Sequence, residues 1–476
     1  MYPRGDVGPP PVGGAAPAEM TVSDEGAVRG VASPAAAVRK RMMRGSATVF
    51  AGMTLGTVLT LVLNAVLARV LGHDELGGYF LVFSMVTIMS TIAQMGLDRT
   101  VVRLVAAARG TGHPGRARRA VVLVFAICTV SSFILAAVLI LGLGHFLAVD
   151  IYDSQAVAGV VGLAAAWVVV KALLALSAET FRGFQRFWPA TVYSGMAVDA
   201  LLLVVFSGLW VAGVHPSLRD AVVISVVATA LALVVAGFGI ARAAAALHGE
   251  GDAGTREILS ISTPLLITSV ASFMVGTGVD LWVVGHFTSL SDVALYGAAS
   301  RLVFFVAAPF IVVSQVVPPI IAELYARGEK HELERALRSV STLAGIPAAA
   351  VLLTFLVAGP FVMGLVYGPF FREGATVLAI LSCARLVAVC TGSSGATLMM
   401  TGHQRTMMGL TVGTGILSLT AEILLAPRYG ITGVAAATCG AQTMQNLLQL
   451  TYARIRVGIW THAEFSLRPL RELVRG

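Results

Sequence analysis

The chain is predicted to be an all-α polytopic membrane protein of about twelve transmembrane helices, and three observations predict it. Hydrophobic residues make up 57% of its 476 positions and charged residues only 12%. A soluble domain carries about 25% charged residues, so too few charges are present to cover a water-exposed surface. Mean hydropathy is +0.85, and the apolar residues gather in runs of about 20, the helical length that crosses a bilayer core. The runs are continuous rather than alternating, which excludes barrel strands of about 10 residues. In lipid, backbone groups find partners only within helices or closed barrels.

Residues 1–38 are rich in Gly, Pro and Ala and read as a disordered tail, followed by the basic cluster Arg39, Lys40, Arg41 and Arg44. The expected spans are 46–70, 78–97, 120–143, 156–178, 190–213, 221–241, 261–284, 294–319, 339–358, 375–400, 407–425 and 431–452. The segment 339–358 is the weakest, and the following Phe361–Phe371 reads as an interfacial or re-entrant piece. The implied organisation is a tail (1–38), a six-helix lobe (39–242), a linker (243–258), a second six-helix lobe (259–453) and a basic terminus (454–476).

Orientation follows from the basic residues, which concentrate on the cytoplasmic side of a membrane protein. With the N-terminus inside, 26 of the 33 Lys and Arg residues fall in inner segments, and only Arg219, Arg372 and Arg428 fall in outer loops. Both termini are then cytoplasmic, in the inner membrane. The net charge of +8 is accounted for by these topological positives beside anionic lipid. No basic stretch is interleaved with aromatics as in a strand-binding groove, so nucleic acid is not an expected partner.

Cys128, Cys383, Cys390 and Cys439 all lie in apolar runs with no metal or redox spacing. The nine histidines are scattered, without an HxxxH or HExxH arrangement. No metal, cofactor or catalytic residue is expected. An enzyme such as a glycosyl- or acyltransferase needs paired carboxylates or histidines on sizeable loops, and the outer loops are short and poor in both.

A weak duplication crosses the middle of the chain. Phe181–Arg186 reads FRGFQR and Met400–Arg405 reads MTGHQR, with Gly, Gln and Arg coinciding in equivalent inner loops. Leu71–Asp74 (LGHD) and Val284–Phe287 (VGHF) are each followed by a tyrosine, Tyr79 and Tyr296. Six helices per half is an even number, so the halves would be related by an axis along the membrane normal, with a cavity between them.

Charged residues within a bilayer are costly and face a wet cavity or a partner. Lys171, Asp199 and Arg385 fall deep in the expected spans; Arg69, Asp280, Arg301 and Glu422 lie nearer the outer ends. Salt bridging between helices is the alternative, or snorkelling for the outer four. Thr57, Thr60 and Asn64 share one face of the first helix, Ser269, Ser272, Gly276 and Asp280 one face of the seventh, and Gln442, Gln445, Asn446 and Gln449 one face of the last. Such stripes either line a cavity or bond neighbouring helices. If the deep cations line a cavity, an anionic cargo such as phosphate, diphosphate or uronate suits them.

The stretches Asn64–Ser84, Met95–Arg103, Thr401–Thr406 and Ala426–Thr438 resemble the polysaccharide-export flippases of the multidrug/oligosaccharidyl-lipid/polysaccharide exporter superfamily. The resemblance spans roughly residues 45–452. It implies a V-shaped, two-lobed bundle that translocates an undecaprenyl-diphosphate-type oligosaccharide or an O-antigen-like polysaccharide repeat unit. Its cationic cavity would be lined largely by helices 1, 2, 7 and 8. Arg69 and Arg301 match positions where a basic residue is common, and Arg103 matches the usual Arg after the second helix. Proton or sodium coupling is implied, with Asp199 and Asp280 as candidates. Glycosyltransferases and a polymerase of the same pathway, together with bilayer lipid, are the implied partners. The alternatives are a cation-coupled drug antiporter of the same superfamily and a transport-inactive envelope scaffold.

Overall fold

The computed structural model describes residues 52, 54–152, 154–247, 254–256, 258–260, 262, 266, 277–314 and 317–464, all within one compact unit, Ala47–Gly476. The described elements are helical, in chain order α1 Thr54–Val70, α2 His73–Ala93, α3 Leu97–Gly110, α4 Pro114–Leu143, α5 Val161–Gly183, α6 Phe187–Val211 and α7 Leu218–Ala245. There follow α8 Thr277–Phe287, α9 Leu290–Leu302, α10 Phe304–Ser314, α11 Val317–Ala326, α12 Lys330–Tyr367, α13 Ala375–Thr391, α14 Ser394–Met400 and α15 Gln404–Arg456. Nine stretches among the described residues are long and apolar enough to cross a membrane, with α1 as a shorter apolar helix. Most of the expected span 261–284 lies outside the described residues, as do the tail 1–38 and its basic cluster.

The exterior supports a lipid solvent. Phe133 on α4, Val204 on α6, Phe238 on α7 and Val357 on α12 are 61–78% exposed. Large apolar side chains left outside in this way would be a liability in water and are stable against acyl chains. The interior is held by close packing and a few hydrogen bonds between helices. Trp167 Nε1 donates to Thr229 Oγ1 at 3.1 Å and the Tyr79 and Ser225 hydroxyls meet at 3.0 Å, tying α2, α5 and α7 together.

Several expected boundaries shift for identifiable reasons. The second span begins at His73 rather than 78, because Asp74 and Glu75 sit in the first turn, where the positive end of the helix dipole favours acids. It ends at Ala93, where Met95 and Gly96 adopt positive φ before amphipathic α3. The eighth span begins at Leu290 rather than 294, through a capping box of Ser289 and Asp292. Phe361–Tyr367 is helical. It forms the last turns of α12, which bends at Ala358 near Pro360 and then turns through Pro369–Gly374 into α13.

α15 is a hairpin rather than a rod. Thr438 Oγ1 lies 3.2 Å from Glu422 Oε1, and Gln445 Nε2 donates to Thr411 Oγ1 at 3.3 Å. A straight helix would put 16 residues about 24 Å apart. Both pairs are nearly symmetric about Gly430, whose φ of 55° and ψ of −141° belong to glycine. The two legs match the expected spans 407–425 and 431–452.

One end of the bundle gathers the turns near Gly72, Ile151, His215, Ser289, Pro369 and Gly430. His215 Nδ1 lies 3.1 Å from Val70 O and His286 Nδ1 lies 2.5 Å from Ile151 O. We call this the His73 end. The turns at Gly96, Gly112, Gln185, Gly328 and Gly402, each carrying a positive-φ residue, follow from the opposite ends of the same helices. FRGFQR and MTGHQR both occupy such turns, and the arginines of 99–119 and 327–338 share that side.

Candidate functional site

Helix α2 carries the main contact between the N-terminal helices (α1–α7) and the C-terminal ones (α8–α15), and small residues let it come close. A Cβ built on Gly77 would lie 1.8 Å from the Leu290 carbonyl oxygen. One on Gly297 would lie 2.3 Å from Phe80 Cδ2, and one on Gly285 would lie 2.9 Å from Leu81 Cδ2. These close approaches lie in the first turns of α2, so the two sets of helices are sealed together at the His73 end.

Arg301 lies on α9 at this seal. Its guanidinium carbon stands 3.7 Å over the Phe80 ring, and Nη1 donates to Gly297 O at 2.8 Å. Tyr79 and Tyr367 are close enough to interact with it electrostatically, and the buried Tyr367 hydroxyl has no hydrogen-bond partner. Among the described residues the ion pairs are Arg182–Glu179, Arg327–Glu323, Arg338–Glu334 and Arg454–Glu334. None of them involves Arg301, Lys171 or Arg385.

A buried acidic centre lies about two helical turns below the His73 end. Asp280 on α8 is 3% exposed and Glu422 on the first leg of α15 is 2% exposed. Asp280 Oδ2 accepts from the Tyr296 hydroxyl at 2.7 Å and lies 3.2 Å from Thr438 Oγ1. Glu422 Oε1 accepts from Ser418 Oγ at 2.7 Å and lies 3.2 Å from the same Thr438 oxygen. Glu422 Oε2 is buried without a partner. Thr438 has one proton to give, so two ionised carboxylates around it need a compensating positive charge. Arg385 on α13 acts electrostatically on Asp280 and Tyr296. A proton on one carboxylate would also relieve the repulsion between the two.

A second polar centre joins the N-terminal helices. The Thr60 hydroxyl on α1 donates to Asp199 Oδ2 on α6. Lys171 Nζ on α5 donates to Thr87 Oγ1 on α2 at 2.7 Å and stands 3.8 Å from the Phe83 ring centroid. Lys171 and Asp199 interact electrostatically. Asn64 is buried and donates to Thr60 O at 2.6 Å, and Thr57 is half-buried one turn away.

The residues expected from the sequence therefore separate. Asp280 lies in the acidic centre, and Lys171, Asp199, Thr60, Asn64 and Thr57 gather around the second centre. Arg301 lies at the seal between the two sets of helices. Arg69 lies at the His73 end, where its guanidinium donates to the Leu365 and Val366 carbonyls. Arg103 is exposed on α3. Ser269, Ser272 and Gly276 lie outside the described residues. The amide stripe bonds helix to helix at Gln445 and within its own helix at Asn446. Thr438 and Ser418 carried no sequence signal as members of the acidic centre. Ser418 and Glu422 do share one face at i, i+4, and Tyr296 was marked by the repeat.

The bundle and its buried polar centres define a multi-pass α-helical membrane protein with the fold of the multidrug/oligosaccharidyl-lipid/polysaccharide exporters. A multidrug resistance MATE family transporter in an inward-facing conformation superposes with a TM-score of 0.67 at 15% identity, covering 86% of this chain and 98% of that one. The lipid II flippase MurJ in an inward closed conformation superposes with a TM-score of 0.68 at 14% identity, covering 89% of each chain. The sequence pattern of the polysaccharide biosynthesis protein family matches residues 42–325, and the chain belongs to that family. A probable low-salt glycan biosynthesis flippase, Agl15 of Haloferax volcanii, is 21% identical over 227 residues, 48% of this chain and 48% of that protein. The chain thus matches about half the length of this curated relative.

Proposed function

We propose that this protein is a carrier, not an enzyme, that flips a lipid-linked glycan of the undecaprenyl-diphosphate type across the cytoplasmic membrane. Two six-helix lobes, 39–242 and 259–453, would open alternately to the two sides, with both termini cytoplasmic and the His73 end outside. Its suppliers and consumers would be the glycosyltransferases and polymerase of the same pathway. Membership of the polysaccharide biosynthesis family supports the glycan, and the Lys and Arg asymmetry between the two ends of the bundle supports the orientation.

The observation that carries the proposal is Arg301. It is a guanidinium at the meeting of the two sets of helices, with an aromatic ring on one face, one hydrogen bond to its own helix and no acidic partner in an ion pair. Such a group recognises a diphosphate bidentately. The acidic centre at Asp280 and Glu422 supplies the place for a coupling proton or cation. A cation-coupled multidrug antiporter, the rival within the superfamily, would find Arg301 repulsive in its cavity.

Proteoliposomes loaded with a fluorescent undecaprenyl-diphosphate-linked sugar test the proposal through leaflet-selective quenching. The parent protein moves the lipid, Arg301→Ala slows it at least about tenfold, and Arg301→Lys retains part of the rate. Movement of organic cations without the glycolipid, or an unchanged rate in Arg301→Ala, overturns the proposal.

A further inference from the structure

Arg69 stands where the end of α1 meets the end of α12. It is the penultimate residue of α1, and its guanidinium crosses from the N-terminal helices to the end of α12. Nη2 donates to Leu365 O at 2.7 Å, Nη1 donates to Val366 O, and Nη1 also meets Ala65 O of its own helix at 3.0 Å. The last carbonyls of a helix lack intrahelical donors and carry the negative end of its dipole. At Leu365 the cause is covalent. The residue four positions on is Pro369, which has no N–H. Arg69 supplies the missing donor from the other half of the molecule.

A second contact runs beside the first. His73, four residues beyond Arg69 and exposed, stacks on Phe370 with ring centroids 3.7 Å apart and planes 12° from parallel. It also meets Phe371 edge-on at 6.0 Å. Both contacts join the α1–α2 turn to the α12–α13 turn, and both lie outside the glycine-lined approach of α2 to α9.

We propose that Arg69 and His73 form a latch that holds the His73 end shut, by capping the α12 C-terminus and stacking on Phe370 across the two halves. The latch rests on the alternating-access proposal above only in its purpose. Its geometry is independent of the cargo. Opening at this end must break both contacts together, because one short turn carries both residues. Closure restores a cap that nothing else in the α12–α13 turn supplies to Leu365.

The experiment reads opening without any cargo. Ala294 is buried on the α9 face that meets α2, so a cysteine there reports access from the His73 end. The full-length protein carrying Ala294→Cys, in sealed right-side-out vesicles, is labelled with a membrane-impermeant maleimide. Background from the four native cysteines is subtracted with the chain lacking the reporter. Arg69→Gln is expected to raise the labelling rate at least about fivefold, Arg69→Lys less, and His73→Ala about twofold. A His73→Cys, Phe370→Cys disulfide is expected to suppress labelling until reduced. His73 is exposed, so its variant reports even if Arg69→Gln does not reach the membrane. Labelling unchanged in both Arg69→Gln and His73→Ala overturns the latch. Loss of glycolipid movement in Arg69→Gln with unchanged labelling also overturns it and returns Arg69 to the cavity. Altered labelling in a protein that moves no glycolipid would sustain the latch while refuting the cargo.

Discussion

Phe80 and Gly297 meet at matching places in the two halves. Each is the eighth residue of its helix, counted from His73 in α2 and from Leu290 in α9, and Tyr79 and Tyr296 precede them. A methyl group on Gly297 would lie 2.3 Å from Phe80 Cδ2. At the crossing of α2 and α9 a large residue of one helix fills the space that a glycine of the other leaves empty.

Gly297→Ala should therefore wedge the two halves apart. Overpacking a tight contact costs about 1–3 kcal/mol, which corresponds to roughly 5- to 150-fold in the population of the sealed state. Glycolipid movement should fall by a comparable factor, and Phe80→Leu in the same chain should recover part of it. A double variant no better than Gly297→Ala alone would show that steric pressure from Phe80 is not the cause.

The acidic centre makes a different demand. Glu422→Gln and Asp280→Asn each replace one of two carboxylates gathered around a single hydroxyl, so each should leave a folded protein. Ion-driven movement should drop at least about tenfold in both variants. Thr438→Ser keeps the bridging hydroxyl and should stay within about threefold of the parent, whereas Thr438→Val should behave like the acid variants. Rates measured under imposed proton or sodium gradients decide this and show which ion drives transport. Glu422→Gln responding to both gradients like the parent would remove the centre from coupling.

Much of the fold was legible in the sequence because length and apolarity are global properties. The Lys and Arg asymmetry sorted the turns onto two ends, and the second leg of α15 falls within two residues of its expected start. Boundaries at His73 and Leu290 were misplaced because acids in a first turn look like loop when judged by hydropathy alone. The candidate residues were legible as residue types, not as partnerships. Asp280 and Glu422 are 142 positions apart, and only the hairpin at Gly430 brings Thr438 between them. That Arg69 donates to the Leu365 and Val366 carbonyls could not be read from the sequence, because nothing in it places the end of α12 beside α1.

Lys171 is held between Thr87 and the Phe83 ring, near Asp199. If it faces an anionic cargo, Lys171→Ala should slow glycolipid movement about tenfold, and Arg385→Ala should do so by weakening the field at Asp280. Thr87→Val removes only one neutral partner of Lys171 and should cost less than about threefold. Both alanine variants moving glycolipid at the parent rate would reduce these cations to structural partners. Fluorescent size-exclusion chromatography in detergent separates that outcome from misfolding.

Gly430 carries the turn on which the acidic centre depends. At φ 55° and ψ −141° its backbone lies where a Cβ is strained by about 1–3 kcal/mol. Gly430→Ala should lower the thermal midpoint in detergent by several degrees. It should also impair ion coupling more than Ala437→Gly, which loosens the second leg without straining the turn. The physical chain is direct: strain at the turn shifts one leg against the other, and Thr438 can no longer reach both carboxylates at 3.2 Å. Coupling that survives Gly430→Ala while stability falls would show that the legs hold their register through Thr411 and Gln445 without help from the turn.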